Sequence, residues 1–490
     1  MRPETRLLLA SVAGAVSTAN AVRPVRRTGL LSMPAFAWGL PTSELPLQSL
    51  AAQAVLTAVA CRGGGGRGVR GRLALALTGA SFAGLVQLHR ESLRSLETLE
   101  RALANGLGSD YLSRVAEPFS PPPQVPLTRR RILLPTLGLR RRYRAVRDVS
   151  YGEYGRRNHL DIWRRDDLAV GARAPVLVQI HGGGWVWGRK EGQAEPLMGH
   201  LAERGWVCVA PNYRLSPRAT WPDHIVDVKR ALAWVRSNIA DHGGDPSFLV
   251  VTGGSAGGHL ASLAALTPGI TEWQPGFEEA DTSVAAAVSF YGVYDFTNRH
   301  GSSRADMIPF LEKRVFKSRL VEDLARWQQA SPSNHVGPHA PPFFVLHGRN
   351  DSLVPVEHAR TFVDELRKAS TSMVAYAELP RAQHAFDTLP SPRAHYTAQA
   401  VERFLAVIRS EHLGPARVVC HRIGATGEWA ERAAAVSERL GRSNGHPLSL
   451  MALHPIAASV LSRSGSWAGS RRRPRLGGPC SEPGSTVRGP

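Results

Sequence analysis

The sequence predicts an α/β fold, with a mostly parallel central sheet, helices on both faces of the sheet and an apolar helical region in front of it. Three observations lead to this prediction. Eight short apolar runs between residues 144 and 413 alternate with stretches of helical periodicity, and strands that alternate with helices favour a parallel sheet. Two glycine-rich motifs each follow one of these runs. The first 95 residues are apolar in blocks that arginines separate.

The elements of the sheet are predicted from runs of apolar, β-branched and aromatic residues. The predicted strands cover residues 145–151, 159–163, 175–180, 207–211, 248–251, 284–291, 343–347 and 373–379. Helical patterns lie between them, notably over 222–241, 255–266, 356–369 and 392–412. The segment 296–339 has no strand pattern, and we expect it to form part of a lid, with a surface excursion as the alternative.

The motif GGSAGG at residues 253–258 follows the fifth apolar run and precedes a segment of good helix formers. A G-x-S-x-G sequence places a serine at a sharp, strained turn between a strand and a helix, where only small neighbours fit. The helix directs its unpaired N–H groups and its positive end at the serine. Ser255 is therefore the candidate nucleophile, and the alternative is a flexible glycine–serine loop.

The motif HGGGW at residues 181–185 follows the third apolar run. It lacks the Lys-Ser/Thr pair of a nucleotide-binding P-loop, and a mere tight turn is the other alternative. Taken together with Ser255, it predicts an acyl-transfer site in which free backbone N–H groups of this loop hold an oxyanion.

A serine nucleophile needs a base, and the base needs a carboxylate that orients it. In this type of fold, the acid and then the base follow the serine along the chain. Asp351 lies in the turn after the strand pattern of 343–347, and His384 lies in the loop after 373–379. Both follow C-terminal ends of strands, where open parallel sheets gather functional groups. His347 is the nearest rival base, and we expect it to be structural.

Residues from about 144 to 413 resemble the α/β-hydrolase superfamily, in the group of hormone-sensitive-lipase-like carboxylesterases and related bacterial acetyl- and feruloyl-esterase-like proteins. The motifs that carry this resemblance are HGGGW, NYRLSP (212–217), GGDP (243–246), GGSAGG, HGRNDSLVP (347–355) and HAFD (384–387). The chain also resembles actinobacterial esterases. One position departs from the hormone-sensitive-lipase pattern GDSAGG, because Gly254 stands where that pattern has aspartate.

The resemblance implies that Ser255 is the nucleophile, Asp351 the acid and His384 the base. It also implies an oxyanion hole of backbone N–H groups, which belong to Gly183, Gly184 and Ala256. The remaining motif residues are expected to support these groups, and they are His181, Gly182, Gly253 and Gly257.

These residues predict a serine carboxylesterase or lipase-like hydrolase that acts on a small-molecule or lipid ester through an acyl-enzyme. The side chains of Trp185 and Trp187 are expected to narrow the substrate pocket. Two alternatives stay open. One is an amidase or aryl formamidase that uses the same residues. The other is a non-catalytic ligand-binding receptor, since the plant gibberellin receptors resemble this group but lack the catalytic histidine.

No cofactor motif appears in the sequence, and the four cysteines (Cys61, Cys208, Cys420 and Cys480) have no paired spacing. We therefore expect no cofactor, no metal site and no disulfide framework, and the cysteine usage favours a reducing compartment. The acyl chain, the alcohol and the oligomeric state stay open.

The net charge of +20 lies in the flanks. Residues 1–150 contain 21 arginines and 8 acidic residues, residues 414–490 contain 11 and 4, and residues 151–413 contain 28 residues of each sign. A neutral catalytic region gives no reason to expect nucleic acid as a partner. A basic flank beside apolar segments favours an anionic membrane surface.

We predict four regions. An apolar, arginine-punctuated N-terminal region (1–95) is followed by a connector with a basic juxtamembrane segment (96–143), the catalytic domain (144–413) and a C-terminal extension (414–490), largely disordered from about residue 441.

The uncharged runs of the first region, at 7–22, 28–43, 45–61 and 73–88, are at or below the short limit for a membrane span. With the arginine clusters at 23–27 and 62–72 both in the cytosol, the segment between them is predicted to be a hairpin dipping into the membrane. The catalytic domain is then cytosolic. The alternatives are a soluble helical cap on the catalytic domain and, for the first 22 residues, a secretion signal.

Overall fold

The computed structural model describes residues 1–24, 29–115, 128 and 143–414. An eight-stranded sheet lies at its centre, and its strands β1 to β8 are Arg144–Ser150, His159–Trp163, Ala174–Ile180, Val207–Pro211, Gly244–Gly254, Ala286–Phe290, Phe343–Gly348 and Val374–Leu379. Their order in space is β1-β2-β4-β3-β5-β6-β7-β8. Strand β2 pairs antiparallel with β1 and β4, and the other pairs are parallel. The predicted mostly parallel sheet is confirmed.

Helices precede the sheet and cover both of its faces. Those of the N-terminal region are α1 (Pro3–Val22), α2 (Gly29–Glu44), α3 (Pro46–Arg62) and α4 (Gly68–Leu107). Those that follow are α5 (Glu195–Glu203), α6 (Asp223–Asn238), α7 (Ala256–Leu266), α8 (Met307–Leu311), α9 (Leu324–Gln329), α10 (Glu357–Ala369) and α11 (392–414). Helices α8 and α9 belong to the segment predicted as a lid.

Alternate residues of each strand point to opposite faces of the sheet. Val176 and Val178 of β3 belong to a core cluster that also contains residues of α6, α7 and α10. Leu177 between them belongs to a second cluster, which contains residues of α5, α11 and the end of α4. Helices therefore bury both faces, which explains why the strands are apolar at successive positions.

Helix α4 crosses the boundary predicted at residue 95. It runs for 40 residues without a break, and its second half buries Leu99, Leu103 and Leu107 against the sheet. At Gly106 the helix lies so close to β8 that an added Cβ would be 2.5 Å from the Cα of Ala375. Residues 96–107 are thus part of the catalytic core rather than of a connector, because their apolar face packs on the edge of the sheet. The basic segment 129–142 and residues 415–490 lie outside the described residues.

Helices α1, α3 and residues 68–88 of α4 form what we call the N-terminal bundle, and polar hydrogen bonds link them. Ser11 Oγ lies 2.9 Å from Thr78 Oγ1, and Thr18 Oγ1 lies 2.7 Å from Ser81 Oγ. Ser81 also donates to Gln53 Oε1 at 2.8 Å, which joins α3 to α4. The interior of the bundle is therefore partly polar along its length.

Large apolar side chains lie instead on the outside of the N-terminal bundle. The exposed ones are Leu9, Val12, Val16, Val55, Leu56, Val59, Leu73, Leu75 and Val86. A small apolar cluster around Leu85 and Leu88 closes the interior at one end. This distribution is the reverse of the usual pattern in a water-soluble bundle, where the apolar face is buried.

Arg23, the one arginine of the predicted cluster at 23–27 that lies in the described part of the chain, and the cluster at 62–72 lie at opposite ends of the N-terminal bundle. Helices α1 and α4 run parallel, because Arg70 Nη1 donates to Thr5 at one end and Val22 lies against Gly84 at the other. The 20 residues of α1 separate Arg23 from the cluster that contains Arg70 by about 30 Å. Arg23 and the cluster at 62–72 therefore do not lie on one side of the bundle, in contrast to the arrangement from which the membrane hairpin was predicted. The argument for a cytosolic catalytic domain rested on that arrangement and loses its basis.

Candidate active site

Ser255 lies at the turn between β5 and α7. Its backbone has φ 59° and ψ −122°, a strained conformation for a residue with a side chain. The glycines on either side are required by close backbone contacts. A Cβ at Gly253 would lie 2.4 Å from the carbonyl oxygen of Gly257, and a Cβ at Gly257 would lie 2.1 Å from that of Ile180. The glycine spacing of the motif therefore has a steric cause.

Gly254, the departure from the GDSAGG pattern, also has a steric explanation. A Cβ at this position would lie 2.6 Å from the hydroxyl oxygen of Tyr291. That hydroxyl donates to Oδ1 of Asp387, three residues after His384. The Tyr291 ring packs beside the His384 ring, with 4.6 Å between their centroids. A side chain at Gly254 would push Tyr291 towards the histidine loop.

The pair of Tyr291 and Asp387 was missed by sequence reasoning. Both side chains are buried, and burial raises the pKa of Asp387 to about 6 and that of Tyr291 well above its ordinary value. The pair ties the loop that carries His384 to the end of β6. The one sequence signal for it was the glycine at position 254, which is meaningful only when the tyrosine that fills the space is known.

The HGGGW loop lies against the serine. A Cβ at Gly182 would be 3.2 Å from the Cβ of Ser255. Among the described residues, no protein group accepts a hydrogen bond from the N–H of Gly183 or Gly184. The N–H of Ala256 is the first of α7, where no acceptor exists within the helix. The three predicted oxyanion donors are therefore not committed to other groups.

His181 and Gln193 hold the loop in place. Gln193 Oε1 accepts a hydrogen bond from the N–H of Gly182 at 2.6 Å. The His181 ring stacks on that of Tyr213 at 4.3 Å, and the Tyr213 hydroxyl donates to the His181 carbonyl oxygen at 3.0 Å. Burial lowers the pKa of His181 to about 4, so its ring is neutral at pH 7. Gln193 belongs to no motif, and sequence reasoning missed it.

We expect Gly183→Ala to lower kcat by roughly a hundredfold or more, the cost of losing one oxyanion donor. The added Cβ would lie 2.3 Å from the carbonyl oxygen of Trp187 and force the loop to shift. Gly205→Ala is the matched control, because its φ of 84° is also positive, nothing lies within 4 Å of its added Cβ, and it lies outside the predicted oxyanion loop. Kinetics on a p-nitrophenyl ester and thermal unfolding of both variants separate catalysis from stability. An unchanged kcat in Gly183→Ala would make HGGGW a structural turn only.

Asp351 and His384 are brought together in the structure. His384 Nδ1 lies 2.6 Å from Asp351 Oδ2, while Oδ1 accepts hydrogen bonds from the N–H groups of Leu353 and Val354 at 2.8 Å. Burial alone would raise the pKa of Asp351, but the neighbouring His384 and His347 hold it well below its ordinary range. Asp351 is therefore a carboxylate at neutral pH and can orient an imidazole.

The Asp351 carboxylate has a second histidine neighbour, His347. Its Nε2 lies 3.2 Å from Asp351 Oδ2 and 2.9 Å from the carbonyl oxygen of Val354. Its side chain is fully buried at the end of β7.

In the described part of the chain, Ser255 Oγ forms no hydrogen bond with His384. Such bonds are often long or absent before a substrate binds.

Helix α2 covers this region. The Phe36 ring meets the His384 ring edge to face, with 5.8 Å between centroids. At the end of the helix, Glu44 forms a fully buried ion pair with Arg393 of α11. Burial raises the pKa of Glu44, and Arg393 opposes that rise. Helix α2 thus makes contacts with the catalytic domain that a helical cap, one of the predicted alternatives, would make. Neither Phe36 nor Glu44 lies in a recognised motif, so sequence reasoning missed both contacts.

The predicted pocket residues occupy different environments. The Trp185 indole is buried, donates to His259 Nδ1 at 3.1 Å and packs on Phe296. The backbone of Trp185 is left-handed, with φ 60°. Trp185 therefore packs in the core below the loop, and its part in the substrate pocket stays a prediction. Trp187 is 62 % exposed, and its pocket role also stays a prediction.

Within the described residues, no group of three or more histidine, cysteine or carboxylate side chains is arranged to hold a metal ion. Cys61 and Cys208 are free thiols, and burial raises the pKa of Cys208 far above its ordinary value. Cys420 and Cys480 lie outside the described residues. No thiol is therefore assigned a part in the site.

Comparison with known proteins identifies the family. The BD-FAE family model matches residues 160–366. The chain is 52 % identical over 413 residues to the probable carboxylic ester hydrolase LipM of Mycobacterium tuberculosis, and the alignment covers 83 % of this chain and 94 % of that protein. The chain belongs to this family of carboxylic ester hydrolases.

Two further relatives from the same organism support this conclusion. The esterase is 50 % identical to Esterase LipQ, over 66 % of this chain and 76 % of the relative. It is 44 % identical to Esterase LipC, over 54 % of this chain and 66 % of the relative. The predicted ester hydrolase is confirmed, and the alternative of a non-catalytic receptor is set aside.

Proposed function

We propose that the esterase forms an acyl-enzyme on Ser255, with His384 as the general base and acid and Asp351 as the residue that orients His384. The observation that carries this proposal is the 2.6 Å contact between His384 Nδ1 and Asp351 Oδ2. Asp351 and His384 follow β7 and β8, and the strained Ser255 follows β5. All three strands are parallel, so their C-terminal ends meet at one edge of the sheet, where such sites form.

In the first half of the reaction, Ser255 Oγ attacks the ester carbonyl while Nε2 of His384 takes the proton of the serine hydroxyl. The oxyanion accepts hydrogen bonds from the N–H groups of Gly183, Gly184 and Ala256, each worth about 3 kcal/mol. The imidazolium then protonates the leaving oxygen, and the alcohol departs. Water attacks the acyl-enzyme with the same proton transfers and releases the carboxylic acid and the free serine.

An amidase or aryl formamidase would use the same residues, so the leaving group has to be tested directly. We expect a higher kcat/KM for a p-nitrophenyl ester than for the p-nitroanilide of the same acid, because the relatives in the family are ester hydrolases. Esters of increasing acyl length then measure chain preference. Faster turnover of the anilide would make amide hydrolysis the main activity.

We further propose that the N-terminal bundle attaches the esterase to an anionic membrane. In lipid, helices associate through small and polar residues and leave apolar side chains on the outside, which is the distribution in this bundle. Helices α1 and α4 are long and apolar enough to cross a membrane, and 22 % and 33 % of their apolar windows are buried. A core helix of a water-soluble protein, by contrast, is mostly buried. Arginines at both ends suit contact with lipid phosphates.

We expect the full-length protein to stay in the membrane pellet in about 1 M salt and to dissolve in detergent. Salt screens arginine–phosphate contacts but leaves buried apolar surface in place. Release by salt alone would show a peripheral attachment and contradict an embedded bundle. Recovery in the soluble fraction before any wash would make the N-terminal helices a soluble cap.

Substitutions on the exposed face of α3 test whether that face contacts lipid. Val55→Gln, Leu56→Gln and Val59→Gln together replace exposed apolar residues of α3, and we expect them to move part of the protein out of the pellet. Val170→Gln, Val321→Gln and Leu324→Gln together are the matched control, because these two valines and one leucine are exposed on the catalytic domain. An equal effect of the two sets would show that the α3 face does not contact lipid.

A further inference from the structure

A cleft of about 620 Å³ lies where the end of α1 meets the second half of α4 and the loops after β7 and β8. Five arginines and two glutamates line it, so its charged residues sum to +3. The arginines are Arg23, Arg94, Arg101, Arg349 and Arg381. This local excess contrasts with residues 151–413, in which the charges cancel.

Ion pairs neutralise two of these arginines and leave three without a carboxylate partner. Arg381 Nε lies 2.6 Å from Glu91 Oε2, and Arg349 Nε lies 2.7 Å from Glu378 Oε1. Among the described residues, the other three arginines of the cleft have no carboxylate within 4.0 Å. Guanidinium groups in such a cluster match the geometry and charge of a phosphate group.

Hydrogen bonds and an ion pair between protein groups hold the walls of the cleft in place. The Asn350 side-chain amide donates to the carbonyl oxygens of Ala21 and Val22 at 3.1 and 3.0 Å. The pair of Arg381 and Glu91 joins the loop after β8 to α4. The cleft is therefore a preformed feature of the contact between the N-terminal helices and the catalytic domain.

The position of the cleft along the N-terminal bundle favours the phosphate group of a membrane lipid as its ligand. Val16 and Val86 are among the exposed apolar residues nearest to this end of the bundle. Arg23 follows Val16 by seven residues and Arg94 follows Val86 by eight, which is about 11–12 Å along a helix. Headgroup phosphates lie just beyond the hydrocarbon core of a bilayer, so an embedded bundle brings Arg23 and Arg94, on the membrane side of the cleft, to their level.

We propose that this cleft binds the phosphate group of an anionic membrane lipid through Arg23, Arg94 and Arg101. The proposal rests on the membrane attachment proposed above for its choice of a lipid, while the phosphate chemistry rests on the arginines alone. Basic pockets beside membrane helices are a recurring way of holding anionic headgroups.

The test uses the full-length protein in a neutral detergent and titrates it with short-chain phosphatidylglycerol, phosphatidylcholine and inorganic phosphate. We expect saturable binding of phosphatidylglycerol and a loss of affinity of roughly tenfold or more in Arg94→Gln with Arg101→Gln. Arg165→Gln with Arg319→Gln is the matched control, because it removes the same charge from exposed positions of the catalytic domain. Thermal unfolding checks that both double variants are folded.

Each outcome has a defined meaning. Equal affinities in the two double variants, or equal binding of phosphatidylcholine, would overturn the proposal. Displacement of the lipid by millimolar inorganic phosphate would support the phosphate site and identify a free anion as a competing ligand. Binding of phosphatidylglycerol by a protein that never pellets with membranes would support the site and contradict the membrane attachment.

Discussion

Replacing Ser255 by alanine is expected to lower kcat by roughly four to six orders of magnitude and to leave the fold intact. The change removes one oxygen, the atom that bonds the acyl group in the proposed mechanism. Alanine keeps the Cβ that the turn already accommodates at φ 59°. Steady-state kinetics on a p-nitrophenyl ester and a thermal unfolding curve measure the two effects separately.

A fluorophosphonate probe should label the wild-type protein at Ser255 and fail to label Ser255→Ala. Ser262→Ala is the matched control, since Ser262 lies on the same helix and is buried with its hydroxyl bonded to Ser289. We expect that control to keep both labelling and activity. Labelling of another serine, or esterase activity in Ser255→Ala above the background of hydrolysis, would refute the assignment of the nucleophile.

Replacing His384 by alanine is expected to cost nearly as much activity as the loss of Ser255, because base and nucleophile act as a unit. His347→Ala should cost at least roughly tenfold less, although both histidines contact the same carboxylate oxygen of Asp351. His347 is fully buried and bonds the carbonyl oxygen of Val354. Its loss removes a partner of the acid and leaves the base in place.

The loss of activity in Asp351→Asn is expected to lie between the losses in the two histidine variants. Asparagine keeps the shape of the acid but favours the wrong imidazole tautomer. The pH profile of kcat/KM distinguishes the roles, because loss of the base should remove the part of the profile that depends on the base. A larger loss in His347→Ala than in His384→Ala would show that the wrong histidine was chosen as the base.

The strands and the nucleophile turn were predictable because their signals are local. Apolar runs of five to seven residues become buried strands when helices cover both sheet faces, and the runs at 159–163 and 207–211 have the predicted bounds. The glycines of GGSAGG are dictated by contacts within the motif and with the neighbouring strand. Strand β5 begins four residues before its predicted start, because Gly244 pairs with Ala174 despite a low strand propensity.

Residues that support the site from distant parts of the chain were not predictable. Tyr291 and Asp387 are 96 residues apart, and Phe36 reaches His384 from the N-terminal region. Their importance depends on which side chains meet in space, which a single sequence does not record. Gly254 illustrates the difference, because the sequence displays an unusual residue and the structure supplies the tyrosine that explains it.

By itself, the sequence determined the fold class, the order of the strands along the chain and the candidate nucleophile, acid and base, since each depends on periodicity or on a short motif. The tertiary structure decided the direction of the N-terminal helices and therefore the separation of Arg23 from the arginine cluster at 62–72. An apolar run predicts a helix, but it does not encode which neighbour that helix runs alongside or which of its faces is covered. Packing also decided that α2 covers His384 and that three arginines share one cleft, because both result from contacts between segments far apart in the chain.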